Sequence, residues 1–306
     1  MTRTLLEKHP MKSKIYDLVA VGAISKDRNV VMNEEEVMYG GGAFQAAFAA
    51  VNSGFTTAVV TKLAEADFQS LAPFKEAGID VYPSLSSHTT SIRNVYTTPD
   101  LDRRTCYKLA MADPFRVDDF PDDLKARVYQ IAALIAGEVP LDVLRYLAGQ
   151  GKVGLDAQGF VRTAVGNELI SQDWQEKREA FQYLDFLKTD AAEAEILTGR
   201  TDREEAIQSL AEMGAKEIIL THSSEVLAYA DGKLYHAEFK AKNLSGRTGR
   251  GDTCFAAYLT QRLRKDPQEA LRYAAALTSI KMETPGPFTG AIEEVEALLA
   301  TCVSSE

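Results

Sequence analysis

Short apolar runs, each closed by a glycine or a polar turn, alternate along this chain with longer stretches whose apolar residues recur at helical spacing. Residues 15–21, stopped by Gly22, read as a buried first strand, and residues 57–61, 79–82, 130–137, 153–156, 186–189 and 217–221 repeat the pattern. Strands so continuously apolar have both faces covered, as in a parallel sheet. Helical stretches fall between them at about 42–53, 67–77, from near Pro140, at 191–198, 203–213 and 268–282, and from about Ile292. Gly54, Gly78, Gly199 and Gly214 sit where such helices stop. Strand and helix alternating throughout predict an α/β fold built on a doubly wound, mostly parallel sheet.

Two stretches break this rhythm. Residues 89–97 mix β-branched and polar side chains, and a turn at Pro99, Asp100, Leu101 and Asp102 leads into a similar stretch at 104–109. That texture fits a hairpin in a sheet with one wet face, a flap outside the main sheet that could cover a ligand or pair with another subunit. Residues 226–230 and 233–236, joined by Asp231 and Gly232, predict a second hairpin.

Composition narrows the function classes. The chain has 306 residues, 45% of them hydrophobic, enough for a sizeable core. Its formal net charge of -10 argues against a broad nucleic-acid or anionic-membrane surface, though a small anion can still be held locally. Cys106, Cys254 and Cys302 are scattered, which fits free thiols in a reducing compartment. The first residues lack the apolar core of a secretory signal, and no apolar run approaches the ~18 residues of a membrane span. A cytoplasmic protein is expected.

The candidate chemistry centres on residues 244–259. Gly246, Gly249 and Gly251 lead into an apolar, alanine-containing helix pattern, with Asp252 at the junction. Glycines let backbone N–H groups converge, and the helix start adds unpaired N–H groups and a positive dipole end, which together make an anion cradle. A carboxylate beside an anion site can accept a proton from an attacking hydroxyl, or it can simply cap the helix; the residues alone leave both open. Gly40, Gly41 and Gly42 open a second helix of small residues containing Gln45, and Asp27 lies beyond the end of the first strand, where open parallel sheets bind ligands. Glu138 and Asp156 also follow apolar runs, with a loop or cap role the simpler reading. Asp190 and Glu193 have the spacing of a capping box. The chain has no G-x-x-x-x-G-K-S/T loop, no G-x-G-x-x-G fingerprint, no H-E-x-x-H and no G-x-S-x-G, and its four histidines lack metal-ligand spacing.

Thr248, Gly249, Arg250, Gly251 and Asp252, running into a helix, resemble the T-G-A-G-D motif of the ribokinase-like (PfkB-type) sugar and nucleoside kinases. The resemblance extends from residues 22–27, through Gly40 and Gly41, to the loop at Pro285 and Gly286. It implies a three-layer α/β/α domain over about 12–306, preceded by an extension at 1–11, with lid strands at about 23–39 and 88–111. It also implies ATP-dependent phosphorylation of a hydroxyl on a sugar, polyol or nucleoside, with Mg²⁺. Asp252 would be the base, and the amides of Gly249, Arg250 and Gly251 the anion hole. Asp27, Gly41, Gly42 and Gln45 would contact the substrate. Asp190, Glu193, Thr221, Pro285 and Gly286 would lie on the nucleotide side, Glu193 being associated indirectly with the metal. The family's lid often makes a dimer as well, which allows a homodimer here. Gly246 and Arg247 replace an aspartate–threonine pair whose acidic member is tied to a monovalent-cation site, which leaves potassium activation open. Arg250 replaces a small residue, Gln45 and Asp190 each replace an asparagine, and the glycines expected after Thr221 are missing. A kinase-fold ligand sensor without catalysis is the alternative these departures motivate.

Overall fold

The computed structural model describes residues 14–32, 34–96 and 104–303. The extension at 1–11 and the turn expected at 99–102 lie outside the described residues. The first half of the chain runs β1 (Ile15–Val21), β2 (Ser25–Val31), β3 (Glu34–Gly40), α1 (Gly42–Asn52), β4 (Thr57–Leu63), α2 (Ala72–Glu76), β5 (Asp80–Leu85), β6 (Ser91–Tyr96), β7 (Arg104–Ala110), β8 (Lys125–Ile131) and α3 (Leu141–Ala148). It continues through β9 (Lys152–Asp156), α4 (Gln158–Val161), β10 (Arg162–Val165), β11 (Glu168–Ser171), α5 (Lys177–Ala180), β12 (Phe186–Asp190), α6 (Ala191–Thr198) and α7 (Arg203–Glu212). The last elements are β13 (Glu217–Thr221), β14 (Glu225–Ala230), β15 (Lys233–Glu238), α8 (Arg250–Gln261), α9 (Pro267–Met282) and α10 (Ile292–Val303).

A nine-stranded sheet has the order β15-β14-β13-β12-β9-β8-β1-β4-β5, parallel from β13 to β5 with β14 and β15 antiparallel at one edge. Period-two alternation explains why its strands are apolar throughout. Leu18 and Ala20 of β1 join Val59, Val128 and Ile219 in a core under Phe255, Leu277 and Val295 of α8, α9 and α10. Val19 and Val21 point the other way, joining Val60, Ile131 and Leu155 under Leu144, Leu197 and Leu210 of α3, α6 and α7. The result is three layers, and each fully buried Leu, Ile, Val or Phe contributes about 1.5–3 kcal/mol. Helix α8 lies almost flush on β9: a Cβ on Gly154 would sit 2.9 Å from both Leu259 and Phe255.

A six-stranded sheet, order β10-β11-β7-β6-β2-β3, forms the lid. Strands β2 and β3 leave directly from the C-terminal end of β1, which hangs the lid over the end of the parallel sheet where β9, β12 and β13 also finish. The expected flap is the β6–β7 pair, but the β10–β11 hairpin beside it was not anticipated. Its strands are only four residues long, too short to show a period. The helix expected at 67–77 is also corrected. Residues Glu65–Leu71 form a 3-10 turn, and α2 begins only at Ala72, with Pro73 in its first turn. Asp67 is pulled inward there, accepting hydrogen bonds from Lys26 (2.8 Å), Tyr39 (2.7 Å) and Thr89 (2.6 Å). Asp231 and Gly232 both take positive φ, 52° and 76°, as the tight turn between β14 and β15 requires.

Candidate active site

A lysine interrupts the apolar run of β12. Lys188 is 3% exposed, and its ammonium lies 3.1 and 3.0 Å from the two Asp156 oxygens and 3.7 Å from Glu193 Oε2. Burial alone would push its pKa down, but Asp156, Glu193, Asp190 and Asp252 together hold it above the ordinary lysine value, so it is a fixed cation. The glycine loop closes over it: a Cβ on Gly251 would come within 2.8 Å of Lys188 Nζ. Gly249 takes φ +79° as the N-cap residue of α8 and packs on Gln45, leaving the first amides of the helix beside this charge.

Asp252 is the third residue of α8 and does not cap it, because that position belongs to Gly249. Burial, then Asp156, push its carboxyl above the usual carboxylate range, against Lys188 and Arg162, which pull it down. The N-terminus of α1 meets it from the other side: a Cβ on Gly42 would lie 2.4 Å from Asp252 Oδ1. Gly41, at φ +107°, makes that approach by packing on Ala23 O, which a Cβ would meet at 2.6 Å.

A cavity of about 410 Å³ opens in front of the loop. Lys188, Arg247 and Arg250 line it from the large sheet's side, Arg104 from the lid, and Asp190 and Thr221 from the ends of β12 and β13. Arg250, whose direction the sequence leaves open, faces this cavity and also stacks 5.9 Å from the Phe239 ring.

The remaining expected residues divide between two sides. Asp27 sits on β2, its Oδ1 accepting from Ile92 N (3.1 Å) and its Oδ2 from Ser25 Oγ (3.1 Å). Burial raises its pKa while Arg104 and Arg162 pull it down. Gln45 is buried, and its Oε1 finds no hydrogen-bond donor among the described residues. Asp190 and Glu193 form a reciprocal capping box at 2.8 Å each way. Burial, ahead of the opposing Lys188, raises the Glu193 pKa. Pro285 and Gly286 are not among the residues that line the cavity; Thr284 and Pro285 press on Gly246 instead. Glu138 is structural, accepting Ala23 N (2.7 Å) and Leu134 N (2.8 Å) to hold the loops after β1 and β8 together.

Sequence reasoning missed Lys188, Arg104 and Arg162 as site residues. Lys188 had a signal, since a lysine inside a buried strand needs a counter-charge. Arg162 feels Arg104 as a like-charged neighbour, and its field reaches both Asp27 and Asp252. The arrangement can seat a polyanion on the loop amides and present a carboxylate to a proton donor beside it.

A family model described as pfkB family carbohydrate kinase matches residues 12–294. A solved pyrophosphate-dependent kinase in the ribokinase family, complexed with a pyrophosphate analog and myo-inositol, is 37% identical over 92% of this chain and 99% of its own, with a TM-score of 0.85. A pyrophosphate-dependent myo-inositol-1 kinase converted by mutation into a myo-inositol-3 kinase is 36% identical over 93% of this chain and 99% of its own, with a TM-score of 0.84. Ribokinase from Arabidopsis thaliana, complexed with ribose and ATP, shares the fold with a TM-score of 0.74 at 19% identity, covering 94% of this chain and 99% of its own. No curated protein sequence matches.

Proposed function

This chain belongs to the pfkB family of carbohydrate kinases, phosphotransferases acting on hydroxyl groups, and from that premise we propose that it phosphorylates an inositol-like polyol with pyrophosphate as donor. The carrying observation is the lining of the cavity. Four cations, Lys188, Arg247, Arg250 and Arg104, surround it, and among the described residues its lining includes one aromatic ring, Tyr96, and no aliphatic side chain. A purine favours apolar or aromatic walls, whereas a compact polyanion favours convergent cations and amides. The relative at 37% identity is pyrophosphate-dependent, which supports the same reading. The ATP implied by the general resemblance is thereby the second choice of donor.

In this reading the acceptor lies between Asp27, Gly41, Gly42 and Gln45, whose unpartnered Oε1 is free to take a hydroxyl hydrogen bond. The phosphoryl group rests on the amides of Gly249, Arg250 and Gly251, facing Lys188. Asp252 accepts the hydroxyl proton late, as the new P–O bond forms, because an alcohol is too weak an acid to be ionised first. The P–O–P bond breaks, and Arg250 and Arg247 stabilise the departing phosphate. No group of three or more His, Cys, Asp or Glu among the described residues could hold a metal unaided. Asp190, which lines the cavity and is held by its capping box with Glu193, would meet a Mg²⁺ that entered with the donor, and the ion would neutralise phosphate charge. The edge strand β3, with Val37 and Met38 exposed and Met32 beside it, supports a homodimer through the lid.

The donor is tested by assaying transfer to myo-inositol and a polyol panel with Mg²⁺ and either pyrophosphate or ATP. Pyrophosphate is expected to give at least a ~100-fold higher kcat/KM, about 2.7 kcal/mol of transition-state discrimination. Parity or preference for ATP would overturn the donor assignment, and no transfer from either donor would overturn the kinase reading. A second expectation concerns geometry. Gly42→Ala should push the Asp252 carboxylate aside and lower kcat about 10- to 100-fold, for an overpacking cost of about 1–3 kcal/mol in chemical denaturation. Unchanged kcat would separate the α1 terminus from the chemistry.

A further inference from the structure

Lys281, in the last turn of α9, is a third buried lysine, 2% exposed, and it is held differently from the other two, Lys188 and Lys62. Lys188 rests on Asp156 and Lys62 on Asp119 at 2.7 Å, so both have carboxylate counter-charges. The Lys281 ammonium instead donates to two main-chain carbonyls, those of Gly246 and Thr248. Burial pulls its pKa down to about 8, with Asp252 the one opposing charge, so it remains largely charged near neutrality. A cation held by two backbone carbonyls and no carboxylate is bound by the kind of ligand that holds an inorganic ion, not by an ion pair.

The carbonyls it joins belong to the segment that delivers the 249–251 amides. Gly246 N donates to Met282 O at 2.8 Å, so this segment is tied to the end of α9 by both of its peptide polar groups. A Cβ on Gly246 would lie 1.8 Å from Thr284 O, so no side chain, acidic or otherwise, fits there to help hold a free ion. The Thr248 carbonyl immediately precedes Gly249, whose positive φ turns the chain into α8.

We propose that the Lys281 ammonium is a built-in monovalent cation, which clamps the Gly246 and Thr248 carbonyls, positions the anion-hole amides and makes the enzyme independent of free potassium. Its catalytic consequence rests on the reading of the 249–251 loop as the donor site. Because the charge is tethered, no ion has to be captured from solution, and its field adds to that of Lys188 at the loop. Lys281 is a positioning residue, since it touches loop carbonyls and not the reacting atoms.

Two measurements test this. Wild-type protein should show the same kcat, and the same melting temperature, in potassium chloride as in tetramethylammonium chloride, whose cation is too large for a carbonyl cage. Severalfold activation of the wild type by potassium would overturn the proposal. Lys281→Ala should lose kcat at least ~100-fold in tetramethylammonium, recover at least tenfold with potassium or methylammonium, and acquire a potassium-dependent melting temperature that the wild type lacks. A folded variant with neither rescue nor a potassium-dependent melting temperature would make Lys281 a packing residue only. The melting-temperature arm needs no turnover, so it distinguishes failure of this proposal from failure of the donor assignment, and the wild-type comparison stands even where the variant does not fold.

Discussion

Asp252→Asn is expected to bind pyrophosphate about as well as the wild type and to lose kcat by about 10³- to 10⁴-fold, the upper range for removal of a general base. The amide keeps the shape of the carboxylate, so the neighbours that fix its position, Gly42 and the first turn of α8, are undisturbed. What disappears is the proton acceptor. Burial and Asp156 raise the folded-state pKa of Asp252 above the unfolded value. A carboxyl with a raised pKa stabilises the fold when protonated, and that contribution is lost as pH rises through the folded pKa. The base form is therefore the less stable one, and Asp252→Asn should melt at the wild-type temperature or above it near neutral pH. The same shift gives wild-type kcat an acid limb above the ordinary carboxylate range, which the variant should lack. Calorimetry with pyrophosphate, kcat against pH and thermal melting read all three effects; wild-type turnover in the variant would remove Asp252 from the chemistry.

The role of Asp252 was only half legible in the sequence, and locality decides which features were. Features written locally could be read. The Asp190 and Glu193 capping box, the turn at Asp231 and Gly232 and the apolar strands of a doubly wound sheet each depend on a few adjacent residues. The 249–252 loop was legible as an anion cradle because its glycines and the helix after them are contiguous. Whether Asp252 capped the helix could not be read, since that depends on where α8 starts, and Gly249 takes the cap. Asp156 stood out at a strand end, but its role needed Lys188 from the neighbouring strand. The cations of the cavity and of the buried groups around its loop were the least visible. Arg104 comes from the lid, Arg162 from a hairpin too short to show a period, and Lys281 from a helix on the far side of the loop. Their convergence is a property of topology, and no window of sequence contains it.

Lys188→Met should show how much of the site rests on one of those cations. The substitution keeps an unbranched side chain of similar length but removes the charge facing Asp156, Glu193 and Asp252. Two separable losses are expected. Pyrophosphate affinity should fall at least ~100-fold and kcat about 10²- to 10³-fold, because a preorganised positive group behind the transferred phosphoryl is gone. Stability at neutral pH should drop by about 3–5 kcal/mol, the usual cost of leaving a buried ion pair half-intact. The sign of its pH dependence is fixed. Burial already raises the Glu193 and Asp252 pKa values against the opposing Lys188, so without that cation they rise further, and stability returns as pH falls and the carboxyls protonate. Adding Asp156→Asn to Lys188→Met should recover much of the stability at neutral pH while leaving pyrophosphate affinity low. Denaturant melts at two pH values and calorimetry on the single and double variants separate the effects. Restored stability with restored affinity would make Lys188 only the counter-ion of a buried carboxylate, whereas restored stability without affinity identifies it as the charge that holds the donor.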